Sequence, residues 1–252
     1  MYIDTHTHLY DEQFANDDAI PRAIAEGVNK MYMPNCDSTT VPGMLQIADA
    51  WPQNCFPMMG VHPCYIKENY KEELAIAERY LAERKYYAIG GIGLDYHWDL
   101  TFKPQQIEAF NLQIDWALQY GLPIVIHSRE STPDCIDIVA AKQKGNLRGI
   151  FHCFSGTVEE AQRIVNLGLY LGIGGVVTYK KSTLPDVIKA ISLDHLVLET
   201  DAPYLSPVPY RGKRNESSYI PIIAAKVAEL KKISLEEVAD VTTHNAGAIF
   251  NS

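Results

Sequence analysis

His6 and His8 stand two residues apart at the end of the first apolar run, Ile3-Asp4-Thr5-His6-Thr7-His8-Leu9. Alternate side chains on an extended strand project from the same face, so both imidazoles are placed to close on one divalent cation. Three further residues of ligand type each follow a strand-like run. These are His127 after Leu122-Pro123-Ile124-Val125-Ile126, His152 after Gly149-Ile150-Phe151, and Asp201 after Leu196-Val197-Leu198-Glu199-Thr200. Imidazole and carboxylate donors together suit zinc or cobalt, and manganese or magnesium where oxygen ligands dominate. Such a set points to hydrolysis assisted by a divalent cation.

A lone histidine is more often a hydrogen-bonded structural residue than a ligand, so the eight histidines separate by position. His97, His195 and His244 end no apolar run and read as structural. His6, His8, His127 and His152 recur at strand ends, which no packing requirement explains. His62, in Met58-Met59-Gly60-Val61-His62-Pro63, fits a strand-end role in substrate binding, and its proline neighbour equally fits a structural turn.

Residues so far apart in sequence need a fold that gathers them. Strand patterns fall near 2–6, 29–35, 56–61, 86–92, 123–127, 148–152, 169–174 and 195–200, with helical patterns between them, for example from Pro104 to Tyr120. Eight such alternations match an α/β fold of the (β/α)8 TIM-barrel type better than an open doubly wound sheet. The strand ends that carry the ligands would then converge on one mouth. A hydrophobic content of 47% supports a large core, and no Ser/Gly tract, charge block or internal repeat marks a linker. One domain over 1–252 is expected.

The five cysteines are odd in number and form no C-x-x-C pair, which argues against a disulfide framework or a structural zinc knot. Reduced thiols, no leader-like N-terminus and no apolar stretch of ~18 residues together indicate a cytoplasmic protein without membrane association. Gly90-Gly91-Ile92-Gly93 and Gly172-Ile173-Gly174-Gly175 fail to complete G-x-G-x-x-G, because Tyr96 and Val177 occupy the third glycine position. Ser155 lacks the G-x-S-x-G elbow of serine hydrolases.

Several motifs in order resemble the TatD-type metal-dependent deoxyribonucleases of the amidohydrolase-like superfamily. They are Ile3-Asp4-Thr5-His6-Thr7-His8, Gly60-Val61-His62-Pro63, Ile89-Gly90-Gly91-Ile92-Gly93-Leu94-Asp95-Tyr96, Pro123-Ile124-Val125-Ile126-His127-Ser128-Arg129, His152-Cys153-Phe154-Ser155-Gly156 and Leu198-Glu199-Thr200-Asp201-Ala202-Pro203-Tyr204. The Arg211 to Glu216 loop and the Asn245 to Phe250 ending fit as well. The resemblance implies that His6 and His8 hold one metal, that His127 and His152 hold a second, and that Asp201 binds the first metal and prepares the attacking water. It also implies a glutamate bridging both metals where this chain has Gly91. Asp95 matches a separate residue of the motif and Glu83 lies elsewhere, so neither replaces the bridge, and one or two divalent cations per chain are expected.

A net charge of −9 argues against a protein that coats duplex DNA by long-range attraction. Local binding remains open through Arg129, Arg211, Lys213 and Arg214, with Lys180 and Lys181 nearby, all following strands at the expected mouth; solvated surface charge is their bland reading. Tyr96, Trp98 and Tyr204 are placed to stack on an unpaired base or to form an edge of the core. The expected function is divalent-metal-dependent phosphodiester hydrolysis of DNA, as an exodeoxyribonuclease on single strands or strand ends, with no obligate protein partner inferred. The alternatives are a metal-dependent hydrolase of a small cyclic amide, lactone or amine, and a weakly active pseudoenzyme.

Overall fold

The computed structural model describes residues 1–251, so of the expected span only Ser252 lies outside the described residues. The elements run β1 (Tyr2–Asp4), α1 (Ala19–Ala25), β2 (Val28–Pro34), α2 (Val41–Ala50), β3 (Cys55–Met58), α3 (Tyr70–Glu83), β4 (Ile89–Asp95), α4 (Lys103–Tyr120) and β5 (Ile124–Arg129). They continue through α5 (Thr132–Lys142), β6 (Gly149–Phe151), α6 (Val158–Asn166), β7 (Tyr170–Ile173), α7 (Leu184–Ala190), β8 (Leu196–Leu198), α8 (Ile220–Lys231) and α9 (Leu235–Phe250). All pairings are parallel, in the order β1-β2-β3 and β4-β5-β6-β7-β8. Two short seams close the barrel. Met59 bridges Ile89 at one, and Thr7 bridges Ala202 at the other, where Thr5 N–H also donates to Leu198 O at 3.0 Å.

Parallel strands covered on both faces need apolar side chains on both, as in Ile124-Val125-Ile126 of β5 and Leu196-Val197-Leu198 of β8, all buried. One layer of the interior takes Ile3, Tyr32, Phe56, Val125, Ile150 and Val197 from six strands, together with Ile249 and Phe250 of α9. The Phe250 ring stacks on Tyr32 at 3.7 Å, so α9 plugs one end of the barrel and leaves the opposite mouth for chemistry. A larger apolar cluster fills the space between strands and helices.

Some boundaries differ from the sequence expectation. β1 and β8 end at Asp4 and Leu198 rather than near 6 and 200, because the chain bends there to make the seam. Asp201 itself takes a left-handed backbone, φ 55°. β4 runs to Asp95 instead of ending near 92. Its glycines carry it through a register shift between Gly90 and Ile92, with Gly91 as the extra residue at φ 73°, a bulge that glycine makes at little cost. Among the described residues, no helix is long and apolar enough to cross a membrane.

Candidate metal centre at the barrel mouth

His6 and His8 lie just beyond β1 rather than within it, yet the bend still turns both rings onto Asp201. His6 Nε2 is 3.7 Å and His8 Nε2 3.4 Å from Asp201 Oδ1. A tetrahedral zinc with bonds of about 2.1 Å has ligand-to-ligand edges of about 3.4 Å, so this spacing fits a cation with little rearrangement. Among the described residues, His6, His8 and Asp201 are the one set of three ligand-type side chains whose donor atoms all lie within 4.8 Å.

The orientation of the His8 ring follows from its neighbour. Tyr10 donates its hydroxyl to Pro34 O at 2.6 Å, so it accepts from His8 Nδ1–H at 2.8 Å and leaves Nε2 facing Asp201, where a bound cation would take the place of the Nε2 proton. Burial works against a charged His8, but the Asp201 carboxylate and the Cys36 thiol outweigh it and lift the pKa to about 10. Burial alone would raise Asp201, and the hydrogen bond from His8 with the nearby imidazoles brings it below the ordinary value. His6 is pushed well down by burial and by the surrounding histidines, and is neutral at pH 7.

His127 and His152 arrive from the five-stranded sheet. The His152 ring stacks on His6 with centroids 3.7 Å apart, and neither of its buried nitrogens has a hydrogen-bond partner. The buried His6 Nδ1 and Glu199 Oε2 are also without partners. Buried polar atoms are ordinarily satisfied, so this concentration of orphans marks a place built for a further group. His127 Nε2 is 2.8 Å from Asp95 Oδ2. Burial holds His127 below its usual pKa, so the neutral ring donates to Asp95 and keeps its Nδ1 lone pair. Burial opposes ionisation of Asp95, but that bond and the backbone N–H groups of His97 and Trp98 bring its pKa down to about 2.

The expected substrate residues separate into free and occupied ones. His62 lies 4.4 Å from His127 ring to ring, and its Nδ1 accepts from Cys64 N–H at 3.2 Å, so it both makes the proline turn and faces the site. Arg129 sits 5.1 Å from the Trp98 ring centroid, and Arg211 sits 4.3 Å from that of Tyr179. Arg214 is occupied: it pairs with Asp17 at 3.0 Å and Glu216 at 3.3 Å and donates to Gln13 O. Lys213 is exposed, and its carbonyl accepts from Ser206 Oγ.

Residues 3–251 match the family model described as TatD related DNase. The chain belongs to that family. It is 40% identical to the uncharacterized metal-dependent hydrolase YabD of Bacillus subtilis (strain 168), over 99% of both chains. It is 32% identical to the 3'-5' ssDNA/RNA exonuclease TatD of Erwinia tasmaniensis, over 98% of this chain and 99% of that one. The crystal structure of YjjV, a TatD homologue from Escherichia coli K12, superposes with a TM-score of 0.94 at 29% identity, covering 100% of this chain and 98% of the other. This TatD-family chain is therefore a metal-dependent hydrolase on a TIM-barrel fold.

Within the family barrel, position 91 is closely packed. A Cβ added at Gly91 would meet Asn35 O at 3.2 Å and Pro34 Cβ at 3.3 Å, so a side chain there would start toward the end of β2. Tyr10 and Glu199 line the candidate site without having been singled out from sequence, and Asp95, read there only as a separate residue of the family motif, meets His127. Tyr10 continues the every-second-residue pattern of Asp4, His6 and His8, and Glu199 is a carboxylate inside an apolar strand-end run. Both are signals, since a fully buried carboxylate is rare unless something pairs with it.

Proposed function

We propose that the chain hydrolyses phosphodiester bonds in DNA, as an exodeoxyribonuclease on single strands or strand ends, with a metal site altered at position 91. The observation that carries this reading is the His6, His8 and Asp201 triangle, with Arg129 at the end of β5 and Arg211 in the segment after β8. The Erwinia tasmaniensis relative, named as a 3'-5' ssDNA/RNA exonuclease, supports it. In this reading His6, His8 and Asp201 hold the principal cation, and His127 and His152 form a second set that lacks a bridging carboxylate because residue 91 is glycine. Two imidazoles and one carboxylate favour zinc, manganese or cobalt over magnesium.

A divalent cation bound here lowers the pKa of water and neutralises the charge that develops on a phosphoryl group. The residues supply the rest. Asp201 orients the attacking water through its second oxygen and accepts its proton. Tyr10 and Asp95 fix the rings of His8 and His127 so that no reorientation precedes reaction. His62 has its Nδ1 occupied as an acceptor and stays neutral through burial, so it presents Nε2–H as a donor to a phosphoryl oxygen. Arg129 and Arg211 hold flanking phosphates by charge.

The test is incubation of purified protein with end-labelled oligonucleotides and Mg²⁺, Mn²⁺, Co²⁺ or Zn²⁺. Stepwise shortening of single strands, abolished by chelator, is expected. No shortening with any metal, beside turnover of a dihydropyrimidine or lactone, would replace this reading with that of a small-ring hydrolase. Tight oligonucleotide binding without turnover would indicate a pseudoenzyme.

A further inference from the structure

Among the described residues Trp98 is the most exposed large apolar side chain, at 70%, and it stands at the rim of the mouth, three residues past the end of β4. An indole left in water at such a place forgoes the stabilisation that burial of its face would bring. Its position is not accidental to the loop. Asp95 Oδ1 accepts from the N–H groups of His97 at 3.0 Å and Trp98 at 3.3 Å, while its Oδ2 meets His127 Nε2. One carboxylate thus fixes both a candidate metal ligand and the turn that presents the indole. Arg129, from the end of β5, brings its guanidinium to 5.1 Å from the ring centroid, and Tyr96 N–H donates to Arg129 O at 3.0 Å, tying the two strand ends together.

The other aromatic candidates at the rim are less available. Tyr96 is partly buried, donates its hydroxyl to Asp134 at 2.7 Å, and carries the Lys103 ammonium 3.9 Å above its ring. Tyr204 points its hydroxyl at Asp11 and meets the His8 ring edge-on.

We propose that Trp98 and Arg129 form a subsite for an unpaired nucleobase, the indole stacking on the base while the guanidinium pairs with the phosphate of the same nucleotide. The subsite deepens the reading of the chain as a nuclease of single strands and rests on it for the identity of the ligand. A π-face accepts any base, so the shelf selects for unstacked nucleotides rather than for sequence. A base held in a duplex has both faces covered by its neighbours and gains nothing from the indole. In a chain of net charge −9, such short-range contact replaces the long-range attraction of a basic surface.

The experiment measures binding of a fluorescein-labelled, phosphorothioate-linked thymidine dodecamer, which resists hydrolysis, and of its abasic counterpart, by anisotropy in Mg²⁺. Wild-type protein should prefer the base-bearing strand. Trp98→Ala should weaken binding of that strand by about 5- to 100-fold, the range for losing one stacked base. It should leave the abasic strand within 2-fold, and Trp98→Phe should recover most of the loss. Equal affinity of wild type and Trp98→Ala for the base-bearing strand, or equal loss on both strands, overturns the shelf. Shortening of natural oligonucleotides by a protein whose affinity ignores Trp98 would leave the nuclease reading intact. Base-dependent binding through Trp98 with no cleavage would sink that reading and keep the shelf. Absence of binding to either strand sinks the shelf.

Discussion

In the proposed mechanism Asp201 concentrates the chemistry in one side chain. Its backbone is left-handed, a conformation that Asn tolerates nearly as well as Asp, so Asp201→Asn removes the charge and leaves the turn intact. That substitution should reduce turnover by ~100-fold or more with little change in melting temperature, the size expected when a general base is lost. Steady-state kinetics beside thermal melting checks this, and near-normal turnover in a well-folded variant would refute the role. Gly91 poses the opposite question, since a side chain is missing there. Gly91→Glu should raise the number of cations bound from one toward two, because a carboxylate between two cations offsets their repulsion. The same change should lower stability by about 1–3 kcal/mol, since a side chain at a φ of 73° is strained and its Cβ crowds Asn35 O. Elemental analysis of dialysed protein counts the metal, and unchanged stoichiometry would mean that the glycine does not limit the second site.

Among the elements, the loop from Arg211 to Glu216 shows what sequence alone conveys and what it does not. Arg214 reads as a substrate arm because it follows β8 in a basic cluster. In the structure it belongs to a lattice of charge that pins the loop to α1: Arg22 meets Glu216 at 2.7 Å, and Arg214 meets both Glu216 and Asp17. The partners lie at opposite ends of the chain, and no local pattern announces that they meet. Burial alone would raise the Glu216 pKa, but the arginines and Ser218 bring it below the ordinary 4.5. A carboxylate whose native pKa is lowered stabilises the fold above its unfolded value, and that contribution disappears as pH falls through the native one. Thermal melting from pH 7 down to about 3 should therefore show a steeper acid loss in wild type than in Glu216→Gln. At pH 7 the variant should be less stable by about 1 kcal/mol, or roughly 2–4 °C, given the exposure of the arginines. The strands were legible because parallel strands buried on both faces leave unbroken apolar runs. Their ends were not, since a bend that satisfies hydrogen bonds across the barrel leaves no composition signal. The four candidate histidines and Asp201 could be picked out by their recurrence after apolar runs, whereas Tyr10 and Glu199 gave only weak signals, since their burial and contacts appear only in the fold.

At the scale of the whole molecule, the barrel is one wall in two pieces. His6 and His8 follow the three-stranded piece, while His127, His152 and Asp201 belong to the five-stranded one. The join between β1 and β8 beside the site rests on a few backbone bonds, from Thr5 to Leu198, His8 to Ala202 and Asp201 to His6. A cation shared by His6, His8 and Asp201, as proposed, would be a rivet through that join as well as a reagent. Free energy of binding to the folded state alone adds to its stability, and locally it suppresses opening of the segments it links. Stripping the metal should let this join breathe. Amide hydrogen exchange at Thr5, His8 and Asp201 should quicken in chelator, while the amides of Met59 and Gly90 at the opposite join, which no candidate ligand spans, should keep their rates. Equal acceleration at both joins would show that the wall does not open along this line. If only the riveted join responds, a starved cell would hold this protein as a slit cylinder, and its supply of metal would decide both whether the barrel reacts and whether it stays shut.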